Sequence, residues 1–324
     1  TYVVDNANIT PPKGFTVTYN ANGGTTEVGS EVSTKTFESW LLTGGGKFVG
    51  NTYTFGTKDE DGTLTANYKN NSINLTTAKK VGYTFTGWYL DSNCTQALVL
   101  NADGTYTPQK DITIYAGWSA NQVTYKVYRY LENANNENYT LYGDVIEGKA
   151  AAGSTLTLLT EANKNQIANT KYVGANLTGG TLGVGTSITT TTVAPDGTTN
   201  IYLYYDRNEY TLTLEKNEYI ETVTGAGTYK WGATVAINAT VKTNITGYNA
   251  SVWDKWTLTE GNGVTVPTTI KGNIVMTAGN ITIVANAVKG TPITYSVVYN
   301  GNGATGGTTA SSTHTYDKAQ NLTA

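Results

Sequence analysis

A unit in which an aromatic residue is followed, three positions later, by tryptophan recurs along the chain, as in Phe37-Glu-Ser-Trp40, Phe85-Thr-Gly-Trp88 and Trp253-Asp-Lys-Trp256. Two copies come shortly after a Gly-Tyr pair, Gly82-Tyr83 and Gly247-Tyr248. A second unit runs from a turn into alternating residues. Asp61-Gly62 leads to Leu64-Thr-Ala-Asn-Tyr68, Asp111 to Ile112-Thr-Ile-Tyr-Ala-Gly-Trp118, Asp196-Gly197 to Ile201-Tyr-Leu-Tyr-Tyr205, and Gly279-Asn280 to Ile281-Thr-Ile-Val-Ala285. A third unit, Val17-Thr-Tyr-Asn-Ala-Asn-Gly23, returns as Val297-Val-Tyr-Asn-Gly-Asn-Gly303. Recurrence at this spacing means several small modules rather than one large core. Period-two alternation between Asp-Gly and Asn-Gly turns predicts half-buried strands. Helical periodicity is nearly absent; the best candidate is the short polar stretch Leu158 to Ile167.

These units set the order along the chain. A lead-in or donor strand (1–14) precedes modules at 15–68, 69–121, 122–206 and 207–290, and an incomplete one at 291–324. The joints at Lys69-Asn-Asn71, Ala120-Asn-Gln122, Asp206-Arg-Asn208 and Lys289-Gly-Thr-Pro292 are short, so neighbouring modules abut with restricted hinges. The expected fold class is mainly β, an elongated tandem array of four to five small modules. The sequence leaves open whether residues 15–121 form one module or two.

Composition narrows the setting. A net charge of −3 and 14% charged residues give no nucleic-acid footprint. No apolar run approaches the ~20 residues of a bilayer span, so membrane insertion is not expected. Cys94 is the one cysteine, which excludes an intrachain disulfide, and methionine and histidine also occur once each. Scarcity of oxidisable side chains beside abundant Thr, Tyr, Gly and Asn reads as an extracellular surface protein.

The residues also carry a resemblance. "FTVTYNANGG", "GYTFTGWYLDSN" and "DITIYAGWSANQ" resemble the Listeria–Bacteroides repeat, or internalin B-repeat, of bacterial surface proteins. The stretch from "VTYKVYRYLENANNENYTLYGD" to "APDGTTNIYLYYDRNEYTLT" is similar to the mucin-binding-protein repeat. "YTLTLEKNEYIETVTGAGTYKWGATVAINATV" with "GYNASVWDKWTL" resembles a divergent internalin B-repeat. The resemblance implies β-grasp-like modules on a bacterial cell surface, attached to the wall through regions outside this chain.

Chemistry-bearing motifs do not survive inspection. Gly301-Asn-Gly303-Ala-Thr-Gly306 fits G-x-G-x-x-G, but "GTTASSTHT" follows, where a dinucleotide site needs a helix. "GGGK" at 44–47 lacks the flanking residues of a phosphate loop. A lone His314 excludes a multi-histidine zinc site and leaves Cys94 without a nearby partner. Asp59, Glu60 and Asp61 read as a solvated hairpin tip rather than a carboxylate pair. Lys, Asn and acids are too abundant to nominate a Lys–Asn cross-link. The chain is therefore expected to be non-enzymatic, with no catalytic residue, cofactor or metal.

Strict alternation puts Tyr83, Phe85 and Gly87 on one strand face and Thr84, Thr86 and Trp88 on the other. Small modules must bury their few large aromatics, so Trp40, Trp88 and Trp256 are expected in cores. The expected function is a cell-surface stalk or adhesin presenting a binding surface to an unknown host glycan or protein. The alternatives are glycan (mucin) binding through exposed Tyr faces, or a filament assembled by exchange of terminal strands. The candidate glycan residues are Tyr125, Tyr128 and Tyr130 on one edge and Tyr202 and Tyr204, beside Tyr205, on the other.

Overall fold

The computed structural model describes residues 2–6, 9–56, 61–183 and 185–322. It is 50% strand and 3% helix, arranged in many small sheets with no barrel among the described residues. The chain divides into two compact units: residues 1–125, 147–155 and 192–199, and residues 126–146, 156–191 and 200–324.

The first unit contains β1 (Tyr2–Val3), β2 (Thr16–Asn20), β3 (Ser30–Val32), β4 (Lys35–Gly44), β5 (Lys47–Val49), β6 (Thr52–Thr54), β7 (Gly62–Asn70), β8 (Tyr83–Tyr89) and β9 (Ile112–Ala120). Its main sheet has the order β8-β9-β2-β3. The central pair is parallel, with Val17 opposite Ile112 and Tyr19 opposite Ile114. Both outer pairs are antiparallel. The buried face gathers Val17, Tyr19, Ala78, Trp88, Ile114 and Ala116.

This pairing corrects the division of 15–68 from 69–121. A parallel partner requires a long crossover, and β2 finds its partner only at β9. The two stretches form one sheet, with β4 to β7 inserted between β3 and β8. β4 and β7 zip together from Lys35–Asn70 to Gly44–Gly62. The lead-in strand pairs within its own chain, Tyr2 opposite Tyr53 and Val3 opposite Thr52, in the sheet β1-β6-β5. Asp59 and Glu60 of the acidic tip lie outside the described residues.

The second unit contains most of β10 (Gln122–Glu132), then β11 (Tyr139–Leu141), α1 (Leu158–Lys164), β12 (Thr170–Asn176), β13 (Asn200–Arg207), β14 (Glu209–Lys216), β15 (Ile220–Thr224), β16 (Gly227–Lys230), β17 (Thr234–Val241), β18 (Val252–Glu260), β19 (Lys271–Val275), β20 (Ile281–Val288), β21 (Thr294–Val297) and β22 (Ser312–Thr315). Two sheets repeat the strand order of the first unit. One runs β11-β10-β13-β12 with β10 and β13 parallel. The other runs β16-β14-β20-β18 with β14 and β20 parallel, and packs against β15-β17-β19. β21 and β22 form a two-stranded pair.

In the copies at Phe37, Phe85 and Trp253 the aromatic-x-x-Trp unit spans a β-bulge. Register slips by one residue between Phe37 and Ser39, between Phe85 and Gly87, and between Trp253 and Lys255. One extra residue on the strand turns the following side chain onto the face that alternation would deny it. Each aromatic therefore meets its Trp, with ring centroids 5.3 Å apart for Phe37–Trp40, 5.4 Å for Phe85–Trp88 and 5.3 Å for Trp253–Trp256. The assignment of Phe85 and Trp88 to opposite faces is thereby corrected. Gly87 sits in the bulge at φ +129°, which a side chain rarely adopts.

Opposite each Trp, the partner strand places alanine: Ala66, Ala116 and Ala285. A small neighbour leaves room for the large indole. The β12–β13 pair has the same slip between Tyr172 and Gly174, with the sizes inverted: Ala175 faces Leu203. Trp88 and Trp256 are buried, and their indole N–H groups donate to Thr76 O (2.9 Å) and Thr269 O (3.1 Å). Trp40 is half-buried, contrary to expectation: with Phe37 it lines a surface cleft beside Asn6, Phe48 and Asn51. Its indole donates to Asn6 Oδ1 at 3.0 Å.

The remaining motifs resolve as turns. Asn22 and Gly23 take φ of 48° and 84°, and Gly24 N–H donates to Ala21 O. Asn302 and Gly303 repeat this at 42° and 89°, with Ala304 N–H on Gly301 O. Two successive positive φ values under one such bond make a primed hairpin turn, so the G-x-G-x-x-G stretch is a turn. The helical candidate does form, as α1.

Replacing Trp88 with Ala should cost about 3–5 kcal/mol in calorimetry, and Trp40→Ala distinctly less; equal losses would contradict the bulge-centred core. Burial of Tyr19, ahead of its other influences, pushes its phenol up to about 12. The folded state thus holds a proton that the unfolded chain releases near pH 10. That stability is complete below about pH 10 and declines as pH rises toward 12. Urea titrations should show Tyr19→Phe losing less stability over this window than the parent; superimposed profiles would refute it.

Candidate functional site

The parallel pair β10–β13 decides where its tyrosines go. Tyr128 lies opposite Tyr202 and Tyr130 opposite Tyr204. Alternation sends these four to one face and Val127, Leu131, Ile201, Leu203 and Tyr205 to the other. The second face is sealed by α1, since the Tyr205 hydroxyl donates to Ala162 O at 2.9 Å.

On the first face the rings form a file. Tyr128 and Tyr202 stack at 4.7 Å and 15°, and Tyr130 and Tyr204 at 5.2 Å and 27°. Tyr139 from β11 meets Tyr204 edge-on at 5.4 Å, and its hydroxyl donates to Asp206 Oδ1. Burial first, then the neighbouring phenols Tyr128 and Tyr130, raise the pKa of Tyr202 above its ordinary value. The file offers phenol hydroxyls beside ring edges.

Not all five candidates reach solvent. Tyr204 is fully buried: its hydroxyl donates to Gly180 O (2.9 Å) and accepts from Asn176 Nδ2 (3.1 Å), so the 176–180 turn covers it. Tyr125 is also buried; its ring fills the space a Cβ on Gly148 would need. Those two are corrected to core positions. Tyr128, Tyr130 and Tyr202 are half-buried and form an accessible row, with Lys126 and Asn200 next along the same face.

A second cluster escaped sequence reading. Glu132 is buried at the end of β10 and accepts from Lys230 Nζ at 2.7 Å and from Arg207 N–H at 3.0 Å. Arg207 Nε donates to Glu132 O at 2.6 Å, and Nη1 to Trp231 O at 3.0 Å. Its guanidinium sits 5.0 Å over the Trp231 ring. Lys230 also reaches the exposed Glu137 at 2.7 Å, and this bond lowers the Glu137 pKa. No local motif marks these residues, because strand pairing alone brings them together.

Among the described residues no helix is long and apolar enough to cross a membrane. A search of the curated proteins finds no match for the chain. One family model does match, over residues 50–117. The matched stretch holds β6, β7, β8 and most of β9, including the Phe85–Trp88 bulge and the facing Ala116. Residues 50–117 thus match the Listeria-Bacteroides repeat domain, a repeat family typical of bacterial surface proteins.

Proposed function

We propose that this chain is a non-enzymatic stalk of a bacterial cell-surface protein, in which repeat modules hold a binding surface away from the cell wall. The observation that carries this reading is the joint inside the second unit. Asn208 alone separates β13 from β14. Around it Glu132, Arg207, Lys230 and Trp231 tie the two sheets by ion pair, hydrogen bond and cation–π contact. Such a joint transmits orientation from one module to the next, which a stalk needs and a flexible linker does not give.

The acids favour the same reading. Asp91, Asp103 and Asp196 have lowered pKa values because their carboxylates accept N–H and hydroxyl groups of their own turns. A general acid needs the opposite shift. These carboxylates stay ionised and hold loops.

Spin labels at Lys171→Cys and Lys255→Cys, in a Cys94→Ser background, measure this joint by pulsed electron resonance. A narrow distance distribution is expected. Lys230→Met should broaden it and lower stability by about 3–5 kcal/mol, since Glu132 is left buried without its cation. A broad distribution in the parent would make the joint a hinge and end the stalk reading.

The accessible row of Tyr128, Tyr130 and Tyr202 favours a second reading, glycan binding. Its stacked rings present edges and hydroxyls, suited to hydrogen-bonded sugar recognition. On a glycan array, Tyr202→Ala should abolish any signal the parent gives; an unchanged signal would remove this face from consideration.

A further inference from the structure

The cleft that Trp40 lines measures about 400 Å³ and is bordered by Asn6, Phe37, Glu38, Phe48 and Asn51, all in the first unit. We propose that it binds a neutral saccharide, one sugar ring presenting adjacent hydroxyls. The site is separate from the tyrosine row and does not depend on the stalk reading.

The first reason is the state of the aromatic pair. Phe37–Trp40 packs at the same centroid distance as Trp253–Trp256, yet Trp256 is 3% exposed and Trp40 stays half-buried. The indoles of Trp88 and Trp256 donate to backbone carbonyls, whereas that of Trp40 donates to a side-chain amide, Asn6 Oδ1. That bond and Phe37, tilted at 56° to the indole, fix the Trp40 ring at the cleft. The negative face of an aromatic ring attracts positively polarised C–H groups, which one side of a sugar ring supplies.

The second reason is a pair of amides whose orientation the chain sets. Val4 N–H donates to Asn51 O at 2.8 Å, which continues the β1–β6 pairing and brings Asn6 to the cleft. Asn6 Oδ1 accepts from the indole at 3.0 Å, and Asn6 Nδ2 donates to Asn51 Oδ1 at 3.4 Å. This relay leaves Asn51 Nδ2 as a donor with no partner among the described residues. Asn51 sits in the two-residue turn between β5 and β6, opened by Gly50 at φ 60°. A Cβ on Gly50 would meet nothing within 4 Å, so the turn leaves this side of the cleft open.

The third reason is an acceptor without a partner. Glu38 is the extra residue of the bulge between Phe37 and Ser39, and it forms no ion pair or hydrogen bond among the described residues. The bulge that joins Phe37 to Trp40 thus also sets a carboxylate on the cleft. A carboxylate accepts two hydroxyls at once, as adjacent sugar hydroxyls supply them. Neither Lys nor Arg lines the cleft, so an acidic sugar would meet Glu38 uncompensated. A purely apolar ligand would leave Glu38 and Asn51 desolvated and unpaired. In the bound state the sugar's C–H face lies on Trp40, two adjacent hydroxyls donate to Glu38, and Asn51 Nδ2 donates to a third hydroxyl oxygen. One ring on so few contacts binds at about millimolar affinity. That is too weak to survive the washes of an array, so solution titration reads this site.

The test titrates the full chain with glucose, galactose, mannose and N-acetylglucosamine, and separately with glucuronate and cyclohexanol. The readouts are the indole N–H chemical shift of Trp40, assigned with Trp40→Phe, and the side-chain amide shifts of Asn51. Saturable shifts are expected with at least one of the four neutral sugars. Glucuronate, which adds a negative charge, and cyclohexanol, which lacks the adjacent hydroxyl, should each bind about tenfold more weakly. Glu38→Gln, at an exposed position, should weaken the neutral sugar about tenfold and remove the discrimination against glucuronate. Tyr202→Ala should leave the titration unchanged. No shift with any of the four sugars, glucuronate or cyclohexanol bound as tightly as they are, or unchanged affinity in a folded Glu38→Gln would each overturn the proposal. Shifts confined to Tyr128 and Tyr202 would do the same, by placing the sugar on the tyrosine row.

Discussion

One extra residue per strand holds these modules together. Without the slip at Gly87, Phe85 and Trp88 would point to opposite faces, and neither face would have two large rings to exclude water. With it, the rings meet edge to face opposite Ala116, and Trp88 reaches Tyr19 across the sheet at 5.0 Å. Edge-to-face contact adds about 0.5–1.5 kcal/mol beyond area burial, which matters in a core with only six buried residues at its centre among those described. The arrangement returns at Phe37–Trp40 and Trp253–Trp256, so it defines the module more than any loop does.

Much of this was legible in the residues. Aromatic-x-x-Trp spacing, Asp-Gly turns and period-two runs located the strands, and α1 falls inside the Leu158–Ile167 stretch. What stayed hidden were effects of single-residue parity and long-range pairing. Alternation assumes an unbroken pleat, so it misplaced Trp88. Local pattern gives no sign that Val17 pairs with Ile112, so the inserted hairpin looked like a module of its own. The tyrosine candidates failed in part for a related reason: Tyr204 has the right parity for an open face, but the 176–180 turn folds over it.

The parallel central pair also explains how one strand serves two purposes. In β13 the odd residues build a core under α1 while the even residues hold the tyrosine file. The end of that strand delivers Arg207 to the Glu132–Lys230 cluster. A change in register would move all three at once, so core, face and joint stand or fall with one set of strand hydrogen bonds.

The hairpin between β3 and β8 enters and leaves the host sheet at one point, since Asn71 N–H donates to Thr34 O at 3.0 Å and Lys35 lies opposite Asn70. Doubling a loop costs only about 0.6 kcal/mol in closure entropy, and this hairpin lengthens the β2-to-β9 connection by less than that. A module of this design can therefore accept cargo at that point almost free of thermodynamic penalty. Its surface can diversify there while the bulge-centred core stays unchanged.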